Sequence, residues 1–181
     1  MGGSGLSSRL YILYRAPGIA HAVHTMAEET RWIADEMVGK LARYLRFLGY
    51  DVVYAHGMRD GQILELSRNE KRVILTRDEL LATRARSLGI LLRSLDVEGQ
   101  LRELGRAFPS LRKEVQFTRC SLCNGRLVPA DRSTPAPPKG VPLDVWTTTR
   151  EVSVCPLCGH AFWEGTHTEE IRQALLRAFQ G

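Results

Sequence analysis

No apolar run in the chain approaches the roughly 20 residues that a membrane-spanning helix needs. The nearest stretch, Leu10 to Tyr14, is also too short for the apolar region of a signal peptide, and no small-residue cleavage site follows it. A cytoplasmic protein is therefore expected. Cysteine is scarce, with four in 181 residues, and in that compartment four cysteines read as reduced thiols or metal ligands rather than disulfides. Acids are missing before Glu28, whereas Arg9 and Arg15 are present. Residues 1–28 show no clear period and admit three readings: a flexible basic arm, an extra strand at Leu10–Tyr14, or an upstream extension with Met26 as the true start. Apolar residues make up 44% of the chain, enough to build a real core in one ordinary domain plus a small module. The 25 Lys and Arg against 20 Asp and Glu leave +5, a mild lean toward polyanionic partners.

The most informative stretch runs from Arg31 to Asp51. Arg31 to Ala34 has the length and apolarity of a strand, and at Asp35 the period changes. Residues 37, 38, 41, 44, 45 and 48 then share one helical face, while Lys40, Arg43 and Arg46 fall opposite at about 100° per residue. Gly49 stops the helix and Tyr50 to Tyr54 restarts a strand, which opens a βαβ unit. His56 to Gly61 is turn-rich, and Ile63, Leu64, Leu66 and Ser67 suggest a short helix with Asp60 as its cap. Arg72 to Thr76 is a β-branched strand, a helix is expected over Glu79–Ser87 with Gly89 as its stop, and Ile90 to Leu92 is the next strand. Asp96 opens a helix that Pro109 ends.

This alternation predicts a parallel sheet with helices on both faces. Ligands of such sheets sit beyond the carboxyl ends of the strands. Asp35, Asp78 and Asp96 each follow a strand and Asp60 lies in the loop after another, so these acids share that edge. Asp51 precedes its strand, belongs at the opposite edge and is expected to be structural. An Asp at a strand-to-helix junction is often only a helix cap contributing about 1 kcal/mol. Recurrence at one edge points beyond capping, because carboxylates brought to about 4 Å repel by roughly 4 kcal/mol at an effective dielectric near 20. A bound cation would offset that repulsion.

From about Val115 the texture changes. Cys120-x2-Cys123 and Cys155-x2-Cys158 are separated by 31 residues that include Pro129, Pro135, Pro137, Pro138 and Pro142. Paired C-x2-C elements of this kind mark a zinc ribbon in which four thiolates close a tetrahedron. The metal supplies much of the folding energy of so small a module. Phe162 and Trp163 fit the ribbon's core better than a base-stacking surface. Thr168 to Phe179 carries Ile171, Leu175, Leu176 and Phe179 at helical spacing and is expected to fold back on a neighbour. The expected organisation is thus a leader over 1–28, an α/β domain over 29–114, a zinc ribbon over 115–167 and a helix over 168–181.

The run Asp35-Glu36-Met37-Val38-Gly39-Lys40-Leu41-Ala42-Arg43-Tyr44-Leu45-Arg46-Phe47-Leu48-Gly49-Tyr50-Asp51, the element Leu75-Thr76-Arg77-Asp78, the two C-x2-C pairs and Gly165-Thr166-His167 together closely resemble the Mut7-C family. That family joins a PIN-like ribonuclease domain to a zinc ribbon. The resemblance spans about residues 30–168 and implies a metal-dependent nuclease holding Mg2+ or Mn2+ among acids at one sheet edge. Carried over by position, Asp35 is similar to the first acid, Asp78 to the acid of the Thr-x-Asp element and Asp96 to the one after the next strand. Asp60 is the best match to the second acid and Glu65 a substitute.

The expected reaction is hydrolysis of RNA phosphodiesters by one or two divalent ions. Arg77 or the stripe Lys40, Arg43 and Arg46 would guide the RNA backbone, and the ribbon would contact substrate or partner. The rival expectation is a non-catalytic module docking on structured RNA, such as ribosomal RNA in a ribosomal particle, with the acids as caps. DNA cleavage would share the chemistry.

Overall fold

The computed structural model describes residues 30–149 and 151–180; the expectations for residues 1–28 lie outside them. Four parallel strands, β1 (Trp32–Ala34), β2 (Val52–Tyr54), β3 (Val73–Thr76) and β4 (Gly89–Leu91), form one sheet in the order β2-β1-β3-β4. The helices are α1 (Gly39–Phe47), α2 (Asp60–Glu70), α3 (Glu79–Ala85) and α4 (Val97–Ala107), so strands and helices alternate as expected. All three residues of β1 are fully buried, because the strand lies between β2 and β3 with helices on both faces. Trp32 and Ala34 join Leu41, Leu45, Leu101 and Leu104 of α1 and α4 in the larger core. Ile33 and Ile74 meet Ile63, Leu64 and Leu81 of α2 and α3 on the other face. This split is the period-two alternation of a central strand.

Local chemistry sets most of the boundaries. A short 3-10 turn, Glu36–Val38, precedes α1, and Gly49 ends the helix at φ +84°, the left-handed conformation glycine adopts without a Cβ penalty. Gly89 stops the helical segment as expected, capping the 3-10 turn Arg86–Leu88 that follows α3, and is also the first residue of β4, where a Cβ would come within 2.4 Å of the Ala82 carbonyl oxygen. The helix after β2 begins at Asp60 itself, with Arg59 as its cap and the Gln62 side chain accepting from the Arg59 amide at 2.9 Å. Asp60 is therefore not the cap the sequence suggested.

The second part of the chain holds an antiparallel sheet of β5 (Val128–Pro129), β6 (Val152–Val154) and β7 (Ala161–Trp163) in that order. The proline-rich span contains a helix the sequence reading lacks, α5 (Leu143–Thr148). It buries Trp146 with Ala130, Val141 and Val152, and Trp163 packs against that cluster. The last helix, α6 (Thr166–Gln180), returns to α4: Leu175 and Ala178 enter the larger core, and Arg177 pairs with Glu98 at 2.8 Å.

Candidate functional site

The chain runs from β1 outward to β2 and then crosses to the other side of β1 to form β3, so the sheet's topological switch point lies between β1 and β3. Crevices at such points are where open parallel sheets bind ligands. Asp35 leaves the end of β1 and Asp78 follows β3, one on each side of this crevice. Thr76, with no exposed surface, joins them: its hydroxyl donates to Asp35 Oδ2 and accepts from the Asp78 amide at 2.9 Å. The β-branched residue that suits a strand thus also links the two acids.

Each acid also caps a helix. Asp35 Oδ1 accepts from the Met37 amide at 2.9 Å, Asp78 Oδ1 from the Leu80 and Leu81 amides at 2.7 and 3.1 Å, and Asp96 Oδ1 from the Gly99 amide at 2.9 Å. Asp35 is buried, and burial raises its pKa above the ordinary 3.8; the bonds from Thr76 and the backbone oppose the shift, and the nearby charge of Asp78 adds to it. Asp96 is exposed, and the Gly99 amide bond lowers its pKa. Asp60 pairs with Arg84 at 2.9 Å, both about half exposed, and Glu65 is exposed on α2. Among the described residues, no three of these carboxylates lie within 4.8 Å of one another; the four cysteines are the group that does. Two carboxylates suit a hard divalent cation, which commonly takes one or two protein acids and completes its shell with water and phosphate oxygens.

The four basic residues part company. Lys40 and Arg43 are exposed, and Lys40 lines a groove of about 320 Å³ with Met37, Leu95, Asp96, Glu98 and Gln100. Arg77 sits half-buried between Thr76 and Asp78, and its Nε is buried with no hydrogen-bond partner among the described residues. Arg46 corrects the expected basic stripe. It is only 6% exposed, donates Nε and Nη2 to the Val52 carbonyl at 3.0 and 2.9 Å, and donates Nη1 to the Ser121 and Leu122 carbonyls at 3.1 and 2.9 Å. Its fork satisfies carbonyls of β2 and of the first cysteine turn, so it fastens the fold and is not a nucleic-acid contact.

The cysteines form a centre built from two matching turns. The Asn124 amide donates to the Cys120 carbonyl at 3.0 Å and the Gly159 amide to the Cys155 carbonyl at 2.8 Å. Asn124 and Gly159 have φ of +69° and +74°, the left-handed bend each turn requires. The Sγ atoms of Cys120 and Cys158 are 3.6 Å apart and those of Cys123 and Cys155 3.4 Å. Four sulfurs around zinc at about 2.3 Å would stand roughly 3.8 Å apart, so the donor set fits a tetrahedral thiolate centre. Desolvation and the neighbouring sulfurs push the Cys123 thiol up to about 12, whereas against desolvation the bonds from the Cys158 amide and from Cys123 bring Cys155 down to about 7, so the cluster loses its protons stepwise.

Asp51 ties this centre to the sheet, in keeping with the structural role expected of it. It pairs with Arg72 at 2.9 Å, Arg31 at 3.3 Å and Arg119 at 3.6 Å and accepts from Asn124 Nδ2 at 2.7 Å. Asn124 in turn accepts from the Val52 amide at 3.0 Å. Burial opposes ionisation of Asp51, but the bonds from Arg72 and Asn124 and the charges of Arg72 and Arg119 outweigh it and hold the carboxyl at about 2.

Three neighbours of the acids carry no sequence signal of their own. Glu36, Tyr54 and His56 gather at the β2 side of Asp35, with His56 Nδ1 3.0 Å from Glu36 Oε1. Their pairing joins two loops and has no fixed spacing.

No curated protein and no solved structure shows significant similarity to the chain. A family model described as the Mut7-C RNAse domain matches residues 30–175. That span contains the four-stranded sheet, the acids at its switch point and all four cysteines, and the chain belongs to the Mut7-C RNAse domain family.

Proposed function

We propose that this protein is a cytoplasmic, metal-dependent endoribonuclease of the PIN type, with Asp35 and Asp78 as the central acids for Mg2+ or Mn2+ and zinc held by Cys120, Cys123, Cys155 and Cys158. The observation that carries the reading is the pair of acids flanking the switch point between β1 and β3, joined through one buried threonine hydroxyl. When bound, the divalent ion supplies Lewis-acid activation of water and neutralises charge on the phosphate. Water adds across one P–O ester bond, leaving a phosphate monoester at one end and a hydroxyl at the other. Thr76 holds the Asp35 carboxylate toward the crevice, Arg77 orients the phosphate, and Lys40 and Arg43 follow the RNA backbone. Asp60 at the start of α2 and Asp96 at the cap of α4, which follow the flanking strands β2 and β4, serve as outer acids of the same rim. The zinc ribbon contacts RNA or a partner such as a ribosomal particle.

The test is cleavage of single-stranded RNA by the purified full chain with and without Mn2+. Asp78→Asn should abolish cleavage while leaving the fold intact, and Asp96→Asn and Asp60→Asn should reduce it less. An Asp78→Asn variant cutting as fast as wild type would refute the site. A second reading, a non-catalytic RNA-binding module, is favoured by the helix amides that Asp35, Asp78 and Asp96 each accept. It expects salt-dependent RNA binding with no turnover in any divalent ion.

A further inference from the structure

The rim carries a pair of rings that the acids do not explain. Tyr54 closes β2 in register with Ala34, the residue before Asp35, and the Ala55 amide donates to the Ala34 carbonyl at 2.8 Å. Because β1 lies between β2 and β3, Asp35 has Thr76 and Asp78 on one flank and Tyr54 and His56 on the other. Neighbouring strands are about 4.8 Å apart, a span that one nucleotide bridges.

The two rings are stacked, with centroids 5.8 Å apart and planes within 18°. The ring pairs of the core around Trp32 meet edge to face instead. Tyr54 is 38% exposed and the His56 side chain 78%, and neither ring belongs to a hydrophobic cluster among the described residues. Both are nonetheless held in place. A Cβ on Gly39 would lie 2.7 Å from the Tyr54 ring, so the glycine at the start of α1 leaves the space that the ring occupies. His56 is held at its edge by Glu36, whose Oε1 also accepts from the Gly57 amide at 2.7 Å. Tyr54 therefore lies parallel to and offset from an imidazole tethered by Glu36.

We propose that His56, flanked by the parallel ring of Tyr54, is a stacking shelf for one unpaired base of single-stranded RNA, next to the phosphodiester at Asp35 and Asp78. The inference rests on the ribonuclease reading for the identity of its ligand. A flat, held and exposed ring pair is the platform on which unstacked bases are received, and such stacking tolerates any base because every base has a π face. The shelf positions the strand; it takes no part in bond cleavage.

The experiment is fluorescence anisotropy of a labelled oligouridylate of about 12 nucleotides, bound by the zinc-loaded full chain carrying Asp78→Asn so that no turnover intervenes. His56→Ala should weaken binding roughly 5- to 100-fold, the loss expected for one base stack. His56→Phe keeps a ring and should bind close to the parent, whereas His56→Gln keeps a hydrogen-bonding group for Glu36 without the ring and should fall with His56→Ala. An abasic ribose-phosphate chain should bind all four proteins alike. If His56→Gln binds like the parent while His56→Phe does not, or if all the variants bind oligouridylate equally, the shelf is refuted. Cleavage by the chain with Asp78 intact in Mn2+ separates this idea from the one it rests on. Turnover without the ring-dependent pattern removes the shelf alone, the pattern without turnover removes only the catalytic reading, and no binding by any form removes both.

Discussion

Thr76→Val removes a single oxygen from the centre of the site while preserving shape and strand propensity. The hydroxyl has two duties: it donates to the buried Asp35 carboxylate and accepts from the Asp78 amide. A hydrogen bond to a charged group contributes about 1.5–3 kcal/mol, and a buried donor left without its acceptor costs a further 1–3 kcal/mol or so. Asp78 is exposed and its amide only part-buried, so the lower figures apply and the loss at neutral pH should be about 2–3 kcal/mol. The pH dependence has a definite sign. Burial already raises the Asp35 pKa above 3.8, and the Thr76 bond is among the contributions holding it down. A carboxyl raised in the folded state contributes stability below its unfolded value that is lost as pH rises through its folded value. Removing the bond raises the folded value further, so the gap between Thr76→Val and the parent should widen toward neutral pH and narrow toward pH 4. Urea unfolding at a series of pH values measures it, with Asp35→Asn as the second arm of a double-mutant cycle. A gap that stays flat with pH, or additive losses in the cycle, would show that Thr76 does not act through Asp35.

Two further outcomes test the frame of the site. Asp51→Asn should cost roughly 2 kcal/mol, the value of moving a carboxyl from 3.8 to about 2. That stability is present above pH 3.8 and lost as pH falls through about 2, so parent and variant should converge in urea unfolding at the acid end. Elemental analysis should find about one zinc per chain. Chelation should release the first cysteine turn and with it the Arg46 bonds to Ser121 and Leu122, seen as loss of amide protection in β2; an unchanged exchange pattern after zinc removal would contradict the coupling.

How far the sequence reveals this molecule depends on the range of each interaction. The change of period at Asp35 fixes β1 and α1 because burial on one stripe repeats within a few residues. The position of Asp51 before β2 was enough to assign it to the frame. The cysteine turns are legible because each needs only four or five adjacent residues. Arg46 was misread for the opposite reason: its place on the helix suggests solvent, but the carbonyls that bury it lie 75 and 76 residues away. The proline-rich span hides α5, whose six residues are held by Trp146 in the ribbon core rather than by helical propensity. Asp60 looked like a cap until Gln62 and Arg59 took that role. That one Thr76 hydroxyl serves both Asp35 and Asp78 needed the pairing of β1 with β3. The meeting of Tyr54, His56 and Glu36 needed the strand register.

The claim on which the rest depends is that Asp35 and Asp78 together hold a divalent cation in the crevice between β1 and β3. Its most direct measurement is titration of Mn2+ into the zinc-loaded chain, followed by electron paramagnetic resonance, for the parent, Asp35→Asn and Asp78→Asn. The account predicts a bound Mn2+ signal in the parent that either substitution removes. Binding undiminished in both variants, or absent from the parent even with single-stranded RNA present, would contradict it and leave the acids as helix caps.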